Sequence, residues 1–384
     1  MRHIGCVSSL IFVAGCHQAP PLRVESAPAF HLYVSLPAAD DIARIDPVVG
    51  KILSKTTVGS LPHNFLLHPD GRRLYVVLVG SQAIAEVDAT TGVLRRTLLT
   101  ERVPMARDDG TVIQPHLDRK ADTHASCYDC HNSDPTGARP VVVGSRPFAI
   151  AFNEAASALY VTNMRTRTLT TVDLASGALL DRTVLPASGD AFEPTGVALL
   201  KGDLYVAMRP NIPSSRPGVV RRLDAATRAT TAEAANGPNT SVVLADPANA
   251  RLYVNNFETS TVTAFGIAGD VLASYAVRPG PLGLRLLEQG HRLVVANYYD
   301  DSLSMVDLAS GDTRTWSLRV GETTYVNPTH TAVDPAGDTL YVVSSGTRGN
   351  LLAFDLTSST FTHALPLGGL PFDVVSVPSP VATE

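Results

Sequence analysis

The chain has 384 residues, 45% hydrophobic and 17% charged, with 31 Lys+Arg against 36 Asp+Glu and a net charge of −5. That length and apolar content exclude a disordered chain and bury a core without disulfide or metal staples. No basic run or patch marks a nucleic-acid partner. Twenty-eight Gly and 27 Pro favour many short elements over a helical bundle.

At the N-terminus, Arg2 precedes a short apolar stretch, Ile4 to Val13, too short to span a bilayer. Val13-Ala14-Gly15-Cys16 follows and resembles a bacterial lipoprotein signal. That resemblance implies cleavage after residue 15 and a lipid on the Cys16 thiol. It also implies a membrane anchor facing the periplasm, sorted to the outer membrane because His17, not Asp, comes next. An ordinary secretory signal cleaved nearby is the alternative. Residues 16–29, with Pro20, Pro21 and Pro28, read as an extended tether.

From residue 30 onward a unit recurs. Leu32-Tyr33-Val34, Leu74-Tyr75-Val76, Leu159-Tyr160-Val161, Leu204-Tyr205-Val206, Leu252-Tyr253-Val254, Leu293-Val294-Val295 and Leu340-Tyr341-Val342 each read as a strand. A second strand ends in Asp, and Asp46–Gly50, Asp88–Gly92, Asp173–Gly177 and Asp307–Gly311 are hairpin turns. An outer strand, a Pro-containing loop and an apolar strand complete the unit. With Tyr160-Val161-Thr162-Asn163 the chain resembles the YVTN family of β-propeller repeats over about residues 30–377. The tally predicts an all-β, seven-bladed β-propeller of four-stranded blades. An orphan strand, Phe372–Val377, is expected to complete the first blade and close the ring. A linear stack of repeats would need no such strand.

Successive repeat positions lie 41–48 residues apart, except for the 85 between Tyr75 and Tyr160. Residues 101–142 lack both the strand and the Asp-to-Gly turn of an eighth blade. They read as a loop or helical insertion between the outer strand of one blade and the inner strand of the next. Long insertions of this kind are commonly functional. All outer-to-inner loops leave one face, where the central channel opens. Pro62-His63, Arg146-Pro147, Glu193-Pro194, Pro238-Asn239 and Asn327-Pro328-Thr329-His330 belong to the same face.

Inside the insertion stands Cys127-Tyr128-Asp129-Cys130-His131. Two thiols three positions apart match the two vinyl groups of one porphyrin, and the next imidazole ligates its iron, so this is the c-type haem attachment pattern. With Cys6 in the signal and Cys16 acylated, Cys127 and Cys130 are the remaining cysteines. Zinc held by Cys127, Cys130, His131 and either His116 or His124 is an alternative cofactor. A short disulfide is another. A thioredoxin-like pair lacks its βαβ context. The distal iron ligand is open among Met105, His116 and His124 of the insertion and His63 and His330 of the channel face. About 40 residues are few for a free-standing cytochrome domain, so the propeller is expected to supply a second wall, with Phe148 beneath.

Arg146, Glu193 and His330 are candidates to bind a ligand at the channel mouth, although Arg146 and Glu193 read more simply as a loop ion pair. Tyr298-Tyr299-Asp300-Asp301 resembles a ligand edge but also fits a strand-end turn. The first functional reading is a lipid-anchored, periplasm-facing c-type haem protein whose propeller docks a redox partner protein for electron transfer. A haem-dependent oxidoreductase with its site at the channel mouth is the second. A non-enzymatic binding scaffold with a zinc- or disulfide-held insertion is the third.

Overall fold

The computed structural model describes residues 28–101, 105–106, 112–113, 145–185, 192–210, 216–346 and 348–379. The signal, most of the tether, Cys16, Cys127, Cys130, His131, His116 and His124 lie outside these residues. Met105 belongs to a described strand, Met105–Ala106, which pairs with Val112–Ile113. Of the insertion, residues 101, 105–106 and 112–113 are described, the last two pairs as a short β-ladder; the loop or helical reading of the rest lies outside the described residues.

Seven four-stranded antiparallel sheets form the blades. From inner to outer strand, blade II runs through Pro62–Leu67, Arg73–Leu78, Ala83–Asp88 and Leu94–Leu99. Blade III runs from Pro147–Phe152 to Leu179–Val184, blade IV from Phe192–Leu200 to Thr230–Ala235, and blade V from Val243–Asp246 to Val271–Ala276. Blade VI spans Pro281–Leu287 to Thr313–Ser317, and blade VII spans Pro328–Val333 to Thr360–Pro366. Blade I takes its inner strand, Val374–Pro378, from the C-terminal end, paired with Phe30–Leu36. Each inner strand touches the inner strands of both neighbouring blades, so the ring is closed.

The core is divided into seven clusters, one at each blade interface. In Arg73–Leu78, Leu74, Val76 and Leu78 pack toward blade I, whereas Tyr75 and Val77 pack toward blade III. Side chains alternate across a strand, and here both faces are covered. That is why the repeat reads as an unbroken apolar run. Its tyrosines carry a polar tip that needs a partner when buried. The Tyr33 hydroxyl donates to the Ala89 carbonyl of the next blade at 3.0 Å, and Tyr205 donates to Ile267 of its neighbour at 2.7 Å.

The Asp-to-Gly turns form as their chemistry requires. The Asp88 carboxylate accepts the N–H groups of Thr90 and Thr91, and Gly92 takes φ +79°. In blades IV and VII the same turns, after Asp224 and Asp355, put Arg228 and Ser359 in the left-handed region. One hairpin, Arg319–Val320 with Thr323–Thr324, was not legible in the repeat pattern.

Candidate functional site

The inner strands surround a cavity of about 250 Å³ that opens toward the outer-to-inner loops. Its walls are aromatic and aliphatic: Phe65, Phe148 and Phe372 on one side, Phe257, Tyr298 and Tyr299 on the other, with Ile150, Val242 and Leu284 among the remainder. Phe257 and Tyr299 meet edge-on at 4.9 Å between ring centres, and Tyr298 and Tyr299 do so at 5.5 Å. Polar groups are few and cluster at two poles.

One pole is His330 with Asn64. The His330 Nδ1 lies 3.1 Å from the Phe372 carbonyl, an acceptor only, so Nδ1 is the donor there, and in the neutral ring Nε2 is the acceptor. The Asn64 amide stands 3.5 Å from that Nε2. His63, one residue earlier on the inner strand, is fully buried and stacks on Phe372 at 3.8 Å. Burial, with His330 and Arg146 nearby, pulls its pKa down to about 3. His63 is thus a neutral packing ring and does not line the cavity.

The other pole is a string of groups from two paired strands of blade IV, which carry Glu193 and Arg209, and from two loops, which carry Asn239 and Glu258. Arg209 donates to Glu193 at 3.2 Å and to the Asn239 side-chain oxygen at 3.2 Å, and Asn239 donates to Glu258 at 3.3 Å. Arg209 is buried, which lowers its pKa against the opposing pull of Glu193. Glu193 therefore pairs with Arg209, where the sequence had offered Arg146. Arg146 takes φ +55° just before Pro147 and acts on His63 and Arg209 through its charge. Of the three expected mouth residues, His330 lines the cavity directly, and Glu193 reaches it through Arg209.

Arg209, Phe257 and Glu258 escaped the sequence reading, whereas Tyr298 and Tyr299, read there as resembling a ligand edge, do line the cavity. A signal existed. Four residues beyond each repeat tyrosine (Val294 in blade VI) stand Pro37, Val79, Met164, Arg209, Phe257, Tyr298 and Ser345. In blades IV, V and VI that position faces the cavity.

The insertion leaves and returns through a built stem. Thr100 and Ser145 hydroxyls lie 3.1 Å apart, and Ser145 donates to the Asn163 side-chain oxygen at 2.9 Å. Asn163, the last residue of the Tyr-Val-Thr-Asn run, also donates to Thr168 and Thr170. Beside it, the buried Glu101 carboxylate pairs with Arg182 and accepts from Thr166 and Thr168. Among the described residues no group of three or more His, Cys, Asp and Glu side chains could hold a metal ion. None of their helices is long and apolar enough to cross a membrane.

This architecture makes the chain a seven-bladed β-propeller with a cavity at one channel mouth. No protein-family model matches it, and no curated protein does. Among solved structures it is similar to the Pseudomonas aeruginosa periplasmic gluconolactonase PpgL, at 17% identity and a TM-score of 0.64 over 91% of this chain and 99% of that one. Hydrazine synthase of Kuenenia stuttgartiensis aligns at 15% identity and 0.61, covering 84% of this chain and 91% of that one. Dihydro-heme d1 dehydrogenase NirN, solved in complex with DHE, aligns at 14% identity and 0.59, covering 93% and 77%. At these identities the likeness is one of fold.

Proposed function

We propose that the chain is an envelope c-type haem protein, attached to a membrane by lipid on Cys16, that passes single electrons to a redox partner docked on its propeller. The observation that carries this is Cys127-Tyr128-Asp129-Cys130-His131, set in an insertion whose stem rises on the channel-mouth face. The donor chemistry fits the group: two thiols for thioether bonds and an adjacent imidazole for the iron. When bound, haem supplies one-electron exchange at a potential tuned by its axial ligands and by burial.

The chain's own residues anchor and shield that group. Thr100, Ser145 and Glu101 hold the stem, and Phe148 and Phe65 turn an apolar wall toward the mouth. A cavity of about 250 Å³ is smaller than a porphyrin requires, and His63 is enclosed. The distal ligand is therefore sought on the insertion, at Met105, His116 or His124, before His63 or His330. A fold shared with a protein named for dihydro-heme d1 chemistry is consistent with a haem-linked role; a fold shared with a gluconolactonase keeps catalysis at the mouth as the second reading.

The test is spectroscopic. Protein made alongside haem-attachment machinery is expected to give a c-type pyridine haemochrome and one covalently bound haem by mass. Cys127→Ser with Cys130→Ser loses both. Unmodified thiols in fully processed protein would overturn the proposal and leave the zinc or disulfide scaffold. Turnover of peroxide, nitrite or hydroxylamine faster than free haem achieves would replace the carrier with the enzyme.

A further inference from the structure

We infer that the channel cavity is itself a ligand site, built for a small, flat, uncharged aromatic molecule that donates a hydrogen bond, a one- or two-ring phenol. The inference stands apart from the haem, since every residue it uses belongs to the propeller.

Size comes first. A cavity of about 150 Å³ holds benzene, and pockets for drug-sized molecules begin near 300 Å³. At about 250 Å³, this one has room for two fused rings and little more. Shape follows from the walls. Phe148 and Phe372 line the cavity from blades III and I, and Phe257 and Tyr299 line it from blades V and VI, so a flat apolar body is bordered by aromatic rings on both sides.

Polarity selects the ligand's edge. The Phe372 carbonyl accepts the His330 Nδ1–H, so in the neutral ring Nε2 is the acceptor at the wall. The Asn64 amide, at 3.5 Å, is at the outer limit of a hydrogen bond to it. At the far pole the exposed Glu258 carboxylate is a second acceptor. Arg209 already faces a carboxylate, Glu193, so among the described lining residues no arginine or lysine without a carboxylate is left to draw an anion. Two acceptors and a compensated arginine suit a hydroxyl donor and disfavour a carboxylate-bearing ring.

The experiment uses the full chain, produced with and without haem-attachment machinery, and titrates 2-naphthol, naphthalene and 2-naphthoate by calorimetry. Expected are one site per chain in both preparations and the order 2-naphthol, then naphthalene, then 2-naphthoate. His330→Phe is expected to weaken 2-naphthol about tenfold, the loss of one hydrogen bond, and to leave naphthalene unchanged. Val242→Trp fills the cavity and abolishes binding. Unsaturable binding, 2-naphthoate binding tightest, or unchanged 2-naphthol affinity in His330→Phe would overturn the inference. The ligand order in the unsubstituted chain decides it even where a variant fails to fold.

Discussion

The hydroxyl of Thr100, at the end of blade II, lies 3.1 Å from that of Ser145, at the start of blade III. Two positions 45 apart in the chain are thus neighbours, and the segment between them is a closed excursion from the ring. The ring itself does not run through it. Whatever that segment binds, the blades on either side pack through Tyr75, Val77, Leu159 and Val161.

Removal of residues 103–143, with a short Gly/Ser bridge from 102 to 144, is therefore expected to leave the propeller folded. Loop-closure entropy falls by about 0.6 kcal/mol per halving of loop length, so the melting temperature should hold or rise slightly. Circular dichroism and thermal melting check this, and the truncated chain should carry no haem. A molten or aggregated product would show that the segment belongs to the core.

Glu101 is the stem's buried charge. Its carboxylate is 1% exposed and serves Arg182, Thr166 and Thr168 together. Glu101→Ala strips these groups of their acceptor and is expected to cost about 1–3 kcal/mol in urea unfolding. Glu101→Gln, which keeps an acceptor oxygen, should recover part of that loss.

Ring closure depends on Asp373. Its carboxylate accepts the Phe65 N–H at 2.8 Å and the Val374 N–H at 2.7 Å, while its own N–H donates to the Ser35 hydroxyl. It thereby joins the C-terminal inner strand of blade I to blade II. Asp373→Ala is expected to lower stability by about 2–3 kcal/mol, read from the denaturant midpoint, by leaving buried donors without an acceptor. Asp373→Asn should cost less.

His63 ties stability to pH. Its folded pKa, about 3, lies below the ordinary 6.5. Between those values the unfolded chain binds a proton that the folded chain refuses. Stability is full above about pH 6.5 and falls as pH drops toward 3, by at most about 1.4 kcal/mol per pH unit. His31 shifts in the same direction, chiefly through burial, and adds to the trend. His63→Phe keeps a ring against Phe372 and removes the titration. Its denaturant midpoint is expected to fall less steeply than the parent's between about pH 6.5 and 4. Parallel slopes in the two proteins would refute the assignment.

The blades were legible because the repeat writes its own physics. Leu-Tyr-Val strands covered on both faces leave an apolar run, and an Asp followed by Gly leaves a turn. Closure was legible from one unmatched strand, found as Val374–Pro378 beside Phe30–Leu36. The cavity was less so. His330 announced itself as an imidazole in a mouth loop, but Arg209 and Phe257 stand where other blades hold Val79 or Met164. Only superposing the blades reveals that those places face one space. Glu193 illustrates the same limit: its partner, 16 positions away, is set by pairing between two strands of blade IV and not by its nearness to other loop charges. The hairpin at Arg319–Thr324 falls outside the repeat and left no periodic trace.

The blade I pairing has a mechanical consequence. Phe30 sits opposite Pro378, and the Ser379 hydroxyl donates to the Pro28 carbonyl, so the two ends of the ring lie side by side. Tension applied between those ends loads the Phe30–Pro378 pair first and then each next pair in turn. Bonds loaded one after another peel like a zipper, whereas bonds loaded together resist as a shear. Force along the backbone therefore meets its weakest geometry at the clasp, and the other six blades stay wound until it has opened.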